Sequence, residues 1–342
     1  MTLLKWRVFS AALILTISVV APSVATAQDA QPMSQISLGG STSSTNLDGA
    51  SMDGFADNTT LAGEGESGGT APVSTAGPEA AAFDGTYVWV ATQFNNSITR
   101  IRVSDGAVAG TFTVGKRPVA LLYAAGSLWV ANLLSNNVMK ITPSTGAIAG
   151  TYAVGNGPGG LAYDGSSIWV ANRHSNNVTK LSTKGSVLGT FAVGKRPIGL
   201  AFAANSIWVA NNFSNSVTRL TTSGALVKTY PVGRGPFGVA SDGTNIWVSN
   251  YFGKTVTKLQ ASDGLELGTF NVGDGAAGMV FDGKTVWVVN NGDSTVMRLS
   301  PSSGGVIATY STGKGPFSVV FDGARVWVPN FGSNSVSMTA AN

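Results

Sequence analysis

The chain contains no cysteine and a single histidine. The first absence removes disulfides, thiolate metal sites, lipoprotein acylation and any cysteine nucleophile, and the second leaves little room for zinc catalysis. Charge is also scarce, with 11% Asp, Glu, Lys and Arg against roughly 25% in an ordinary soluble domain. After the first 27 residues no uncharged apolar run approaches the roughly 20 residues needed to span a bilayer. What the 342 residues do contain is 44 glycines, 43% hydrophobic residues and eight tryptophans. That balance favours a glycine-punctuated β-protein that binds over a metalloenzyme, and it implies no cofactor.

Residues 1–27 have the organisation of a secretory signal peptide. Lys5 and Arg7 precede an apolar stretch from Val8 to Ala21, and Ala25-Thr26-Ala27 fits a cleavage site before Gln28. The mature chain is therefore expected outside the cytoplasm, secreted, periplasmic or at the cell surface, with no membrane span. Residues 28–68 are dominated by Gly, Ser, Thr, Ala, Asn and Asp and are expected to form a disordered acidic linker. Asp29, Asp48, Asp53, Asp57, Glu64 and Glu66 face no Lys or Arg between positions 28 and 78. The basic excess, a formal +4 over the whole chain, thus belongs to residues 79–342.

Trp6 lies in the leader, and the other tryptophans are Trp89, Trp129, Trp169, Trp208, Trp247, Trp287 and Trp327. Their spacing of 39 or 40 residues marks a repeat. Each copy carries four short β-branched and aromatic runs separated by turn residues. One example is VALLYA, SLWVAN, NVMKIT and AIAGTYAVG, which starts at Val119. The first connection is often Asp-Gly, as at Asp84-Gly85 and Asp164-Gly165, and is read as a hairpin turn with positive φ at both positions. The tryptophan runs are apolar at consecutive positions, so both faces of those strands are covered. Seven such sheets make an all-β, seven-bladed propeller of four-stranded antiparallel blades over residues 69–342. An open solenoid would need polar capping repeats. Instead the seventh copy ends at Asn342 without a fourth strand, and residues 69–75 are expected to supply it and close the ring. A monomer is expected.

The copies ANRHSNNVTKL, ANNFSNSVTRL and SNYFGKTVTKL resemble YVTN/NHL-type propeller repeats. Such repeats occur in exported YncE-like propellers and in virginiamycin B lyase. Val rather than Asp follows each repeat tryptophan, which separates the chain from WD40 repeats. The resemblance implies the fold over about 69–342 and leaves activity open. A virginiamycin B lyase-like or lactonase-like enzyme is the catalytic alternative. The lyase's loop-face histidine and metal-supporting glutamate match no motif position here.

Function is expected on the face that carries the strand 2–3 loops and the loops between blades. The between-blade loops place Lys116, Arg117, Lys195, Arg196, Arg234 and Lys314 around the mouth of the central channel. The strand 2–3 loops add Phe94, Leu134, His174, Phe213, Tyr251, Phe252 and Phe331. Clustered cations attract anions, and interleaved aromatics suit sugars, anionic glycans or single-stranded nucleic acid. Nothing else in the sequence singles out nucleic acid. The leading expectation is a non-catalytic binding module for an anionic or carbohydrate ligand or a surface protein. A purely structural surface module without a small ligand is a third reading. Three G-x-G-x-x-G matches, at Gly155, Gly233 and Gly273, join two strands and so are turn chemistry. An enzyme would have to draw on His174 with Asp274 and Asp293, because most other carboxylates of the repeats sit in Asp-Gly turns.

Overall fold

The computed structural model describes residues 30–38 and 77–341, and the signal sequence and the 69–75 segment lie outside the described residues. Seven sheets form a ring of seven blades, each ordered from an inner strand at the axis to an outer strand at the rim. In the first blade these strands are Pro78–Phe83, Tyr87–Thr92, Ser97–Arg102 and Val108–Thr113, all antiparallel. The seven repeat tryptophans stand on the second strands and are fully buried between blades.

The indoles other than Trp208, whose Nε1 has no acceptor among the described residues, are each fixed by two polar neighbours. In five blades the indole Nε1 donates to the aspartate of the first turn, as from Trp169 to Asp164 at 2.8 Å and from Trp287 to Asp282 at 2.7 Å. The same carboxylates accept backbone N–H groups one turn on, as Asp164 does from Ser166 and Ser167. Asp84 N donates to Tyr87 O, and in this turn Gly85 (φ 98°) is the only residue with positive φ. Glycine in the first central position is the type II′ pattern, so the expectation of positive φ at both turn residues fails for the Asp-Gly blades. It holds where Asp-Gly is missing, at Ala125-Gly126 (φ 49° and 70°) and Ala204-Asn205 (φ 46° and 53°). Aspartate sits just outside the turn because there its carboxylate reaches both the turn amides and the indole.

The second neighbour is a cation. Directly across from the tryptophan on the third strand stand Arg100, Lys140, Lys180, Arg219, Lys258 and Arg298. Their charged groups lie 5.1 to 5.7 Å from the indole centres. Five of them also donate to a carbonyl in the strand 3–4 turn of the next blade, as Lys140 does to Thr183 at 2.9 Å. In the seventh blade Met338 holds this place, and Arg325 covers Trp327 and bonds the Val103 carbonyl of the first blade. Much of the basic excess is therefore a clamp between blades and not a surface field.

An N-terminal strand closes the ring as expected, but it is a different segment. Ser34–Ser37 pairs antiparallel with Ser335–Ala340 as the fourth strand of the seventh blade, the place expected of residues 69–75. Gln31–Pro32 pairs in parallel with Tyr310 and Ser311 on the sixth blade. Residues 31–37 thus strap two blades together within the stretch expected to be linker. The physical reason is local: Met33 is buried against Trp287, Val289 and Val328, and Ile36 packs near Trp327 and Val336. Two apolar side chains in a polar stretch suffice to anchor it.

The inner strand of the seventh blade shrinks to Val320–Phe321, with one further bridge between Pro316 and Asn330. Phe331 N donates to Gly315 O, so the residue two before it, Pro329, also faces the inner strand, and proline has no N–H to give. The Phe317 carbonyl turns to Gly278 N of the sixth blade instead, at 2.9 Å.

Candidate functional site

The loop face is built from two layers that lock together in each blade. Each between-blade loop contains a residue with positive φ, and its carbonyl accepts an N–H from the following strand 2–3 loop, as in Arg173 N to Gly157 O at 2.8 Å. A serine or asparagine side chain of a strand 2–3 loop caps the loop beside it, as Ser175 Oγ does for Asn156 N and Asn136 Oδ1 for Gly157 N. At five of the seven left-handed positions the residue is glycine; at the other two it is Arg117 (φ 55°) and Arg196 (φ 53°). A side chain there costs roughly 1–3 kcal/mol, so two arginines at those places mark the site for attention.

Both arginines turn toward the axis. Arg117 Nε donates to Gln93 Oε1 at 2.7 Å, and the Arg196 guanidinium lies 4.5 Å from the centre of the Phe213 ring. Between them comes Arg173, 5% exposed, which donates to the Gly159 carbonyl at 3.2 Å. Gly159 makes that seat possible, since a Cβ there would stand 1.9 Å from Arg173 Nε. The matching inner-strand positions of the other blades hold Glu79, Val119, Ile198, Phe237, Ala277 and Phe317.

Glu79 is the one acidic residue of this group, 3% exposed, and its Oε2 has no hydrogen-bond partner among the described residues. Burial pushes its carboxyl above the usual carboxylate range, against the pull of Arg173 and Arg117. Burial likewise lowers Arg173 to about 10, with Glu79 opposing and the like charges of Arg196 and Arg117 adding to the fall. Arg173 and Arg117 thus share the Glu79 carboxylate, and Arg196 adds a like charge that acts on Arg173.

The opposite sector is aromatic. Ring centres run from Phe94 to Phe331 (5.4 Å), to Phe317 (5.8 Å), to Phe237 (6.2 Å), to Tyr251 (5.9 Å) and to Phe252 (5.4 Å). The Tyr251 hydroxyl donates to Asn291 Oδ1 at 2.9 Å, and burial followed by the Asp274 charge pushes its pKa up to about 12. Below the mouth lies a cavity of about 170 Å³ lined by Glu79, Arg173 and the inner strands, including Phe237 and Phe317.

The sequence-predicted residues separate into three groups in this structure. Lys116, Lys195, Arg234 and Lys314 are exposed on the rim, with Phe94 (53%), Phe213 (59%) and Phe252 (41%) beside them. Tyr251 and Phe331 are buried in the aromatic wall, Arg117 bonds Gln93, and the largely buried Arg196 lies over the exposed Phe213 ring. His174 is exposed, with its ring packed over Gly157. The acidic pair does meet, and its role is structural. Asp293 accepts Asp274 N at 2.8 Å, the cap that serine makes in other blades, and Asp274 pairs with Lys254 at 2.8 Å. Among the described residues no three His, Asp or Glu side chains gather closely enough to hold a metal ion. Glu79, Arg173 and Phe317 were missed by sequence reasoning. The available signal was a charged residue at repeat positions that are uncharged in every other blade: apolar or glycine at the Glu79 position, apolar or amide at the Arg173 position.

No protein-family model matches the chain, and no curated protein matches it in sequence. Solved structures are similar in fold. A streptogramin B lyase is 19% identical, with a TM-score of 0.69 over 79% of this chain and 95% of that one. The hydrazine synthase of Kuenenia stuttgartiensis is 19% identical, with a TM-score of 0.70 over 81% and 99%. The virginiamycin B lyase of Staphylococcus aureus is 19% identical, with a TM-score of 0.69 over 78% and 96%. Likeness at this identity shows the propeller and leaves the site to be read from its own residues.

Proposed function

We propose that the chain is an exported, non-catalytic propeller that binds an anionic ligand on its loop face. One observation carries the reading. Arg173 is buried at the channel mouth with the like charges of Arg196 and Arg117 acting on it and Glu79 as the one opposing carboxylate, and burial first, then that repulsion, lowers its pKa. A site arranged this way is short of negative charge, and an incoming anion relieves the repulsion. The rim cations Lys116, Lys195, Arg234 and Lys314 extend the same field to solvent and serve to gather ligand. Export rests on the Lys5–Ala27 leader. The lyase reading finds less support, because His174 stands on the third blade while Asp274 and Asp293 are engaged at the junction of the fifth and sixth.

The test is binding of dextran sulfate, a polyanion, to the mature protein across a salt series. The expected result is binding that weakens as salt rises and is lost when Lys116, Lys195, Arg234 and Lys314 are replaced together by Glu. Unchanged binding and salt dependence in that variant would overturn the reading.

A further inference from the structure

The throat narrows the ligand class, on the premise that the loop face takes an anion. We propose that the cavity beneath the mouth seats a hexuronate, a pyranose ring bearing a carboxylate, either as the free acid or as the end unit of a glycan. Three features each remove a competing class. Arg173 and Glu79 are the charged side chains of the cavity lining, and Arg117 and Arg196 add like charge that acts on Arg173, so a neutral sugar would leave the charge excess in place. The buried Oε2 of Glu79 needs a donor, which an aromatic acid such as benzoate lacks in its ionised form, whereas a sugar hydroxyl supplies one. Phe237 and Phe317, the two rings that line the cavity, offer apolar contact to the C–H face of a pyranose, a face that phosphate does not have.

Two further buried groups, outside the cavity lining, carry polar atoms that lack partners. Gln93 and Asn212 occupy the repeat position of Arg173 in the first and fourth blades, 2% and 1% exposed. Gln93 Nε2 and Asn212 Oδ1 have no hydrogen-bond partner among the described residues, one a donor and the other an acceptor. The size agrees as well. About 170 Å³ falls below the roughly 300–1,000 Å³ of clefts that take drug-sized ligands, which leaves room for one sugar unit and not for a chain.

Calorimetric titration of the mature protein with D-glucuronate, D-glucose, benzoate and inorganic phosphate tests the assignment. D-glucuronate is expected to bind about tenfold or more tightly than the other three probes. Glu79→Gln and Arg173→Gln are each expected to weaken it about tenfold. Thermal melting of each variant establishes that it is folded, and Glu79→Asp, which keeps the acceptor, is expected to retain part of the affinity. Glucuronate binding no tighter than phosphate, glucose or benzoate overturns the assignment, and so does parental glucuronate affinity in Glu79→Gln. If glucuronate fails while dextran sulfate still binds in a salt-dependent way, the anion-binding reading stands and the sugar acid falls. Failure of both probes removes both. A glucuronate-ended oligosaccharide that binds more tightly than the monosaccharide assigns the glycan end, and equal or weaker binding assigns the free acid.

Discussion

Lys258 lies with its ammonium 5.2 Å from the ring centre of Trp247 and donates to the Pro301 carbonyl of the next blade at 2.6 Å. One side chain thus caps the core of its own blade and ties that blade to its neighbour. A buried cation over an indole and a charged hydrogen bond are each worth on the order of 1–2 kcal/mol. Lys258→Met keeps the apolar stem and removes both. It is expected to lower unfolding stability by about 2 kcal/mol in urea titration. Lys284→Met, at an exposed turn position, is expected to change it by less than about 0.5 kcal/mol.

That clamp shows what a sequence yields and what it withholds. The period of the tryptophans is enough for seven blades, because a buried indole per repeat leaves few other architectures. The cation across from the tryptophan in six of the seven blades is equally periodic, yet without the register it counts only toward net charge. Lys140 and Lys180 belong to the core, whereas Lys116 and Lys195 belong to the rim. The throat was hidden for the opposite reason. Glu79 and Arg173 break the repeat as single charges, the first at a position otherwise apolar or glycine and the second at one otherwise apolar or amide, nearly a hundred residues apart in the chain. Only closure of the ring brings the first and third blades to a common axis.

The aspartate at each first turn is expected to matter through its indole. In Asp242→Asn the single carbonyl oxygen can serve the turn amides of Thr244 and Asn245 or Trp247 Nε1, but not all of them. A buried N–H left without its acceptor costs about 1–3 kcal/mol. Burial works to raise the Asp242 pKa from 3.8, but the hydrogen bonds from Asn245, Trp247 and Thr244 outweigh it and hold it lower. A depressed folded pKa contributes stability above the unfolded value and loses it as pH falls through the folded one. The stability penalty of Asp242→Asn should therefore shrink as pH drops below 3.8, as urea titrations across that range would record.

The strap formed by residues 31–37 is expected to hold the last two blades. Met33 is 7% exposed and packs against Trp287 and Val328. Met33→Ala should cost about 2–3 kcal/mol by urea titration. Removing the chain through Leu38 leaves the Ser335–Ala340 strand with an open edge. The expected result is a lower Tm and association that grows with concentration in light scattering. An unchanged Tm and a monodisperse truncated protein would remove the strap from any role in ring closure.

Gly159 is expected to act on binding through Arg173. A Cβ would collide with Arg173 Nε at 1.9 Å, and the guanidinium could no longer lie over the inner strand. Gly159→Ala should weaken D-glucuronate binding by about tenfold, close to the effect of Arg173→Gln. The double variant should add little, because the two substitutions remove one interaction. Additive losses in calorimetry would mean that Gly159 contacts the ligand by itself.

Glu79 separates a structural group from a functional one. Its carboxyl is raised by burial even with Arg173 and Arg117 pulling it down, so the net environment disfavours its charge. An acid with a raised folded pKa adds stability below its unfolded value, and the contribution disappears as pH rises through the folded value. At neutral pH the charged form is a cost to the fold, and Glu79→Gln, which cannot ionise, is expected to raise Tm. At pH below 4.5, the ordinary glutamate value, the difference in Tm between the two proteins should close. A residue kept for packing would lose stability on this change at every pH. A gain in Tm at pH 7 together with a loss of D-glucuronate affinity would identify Glu79 as a group the fold tolerates for the sake of its ligand.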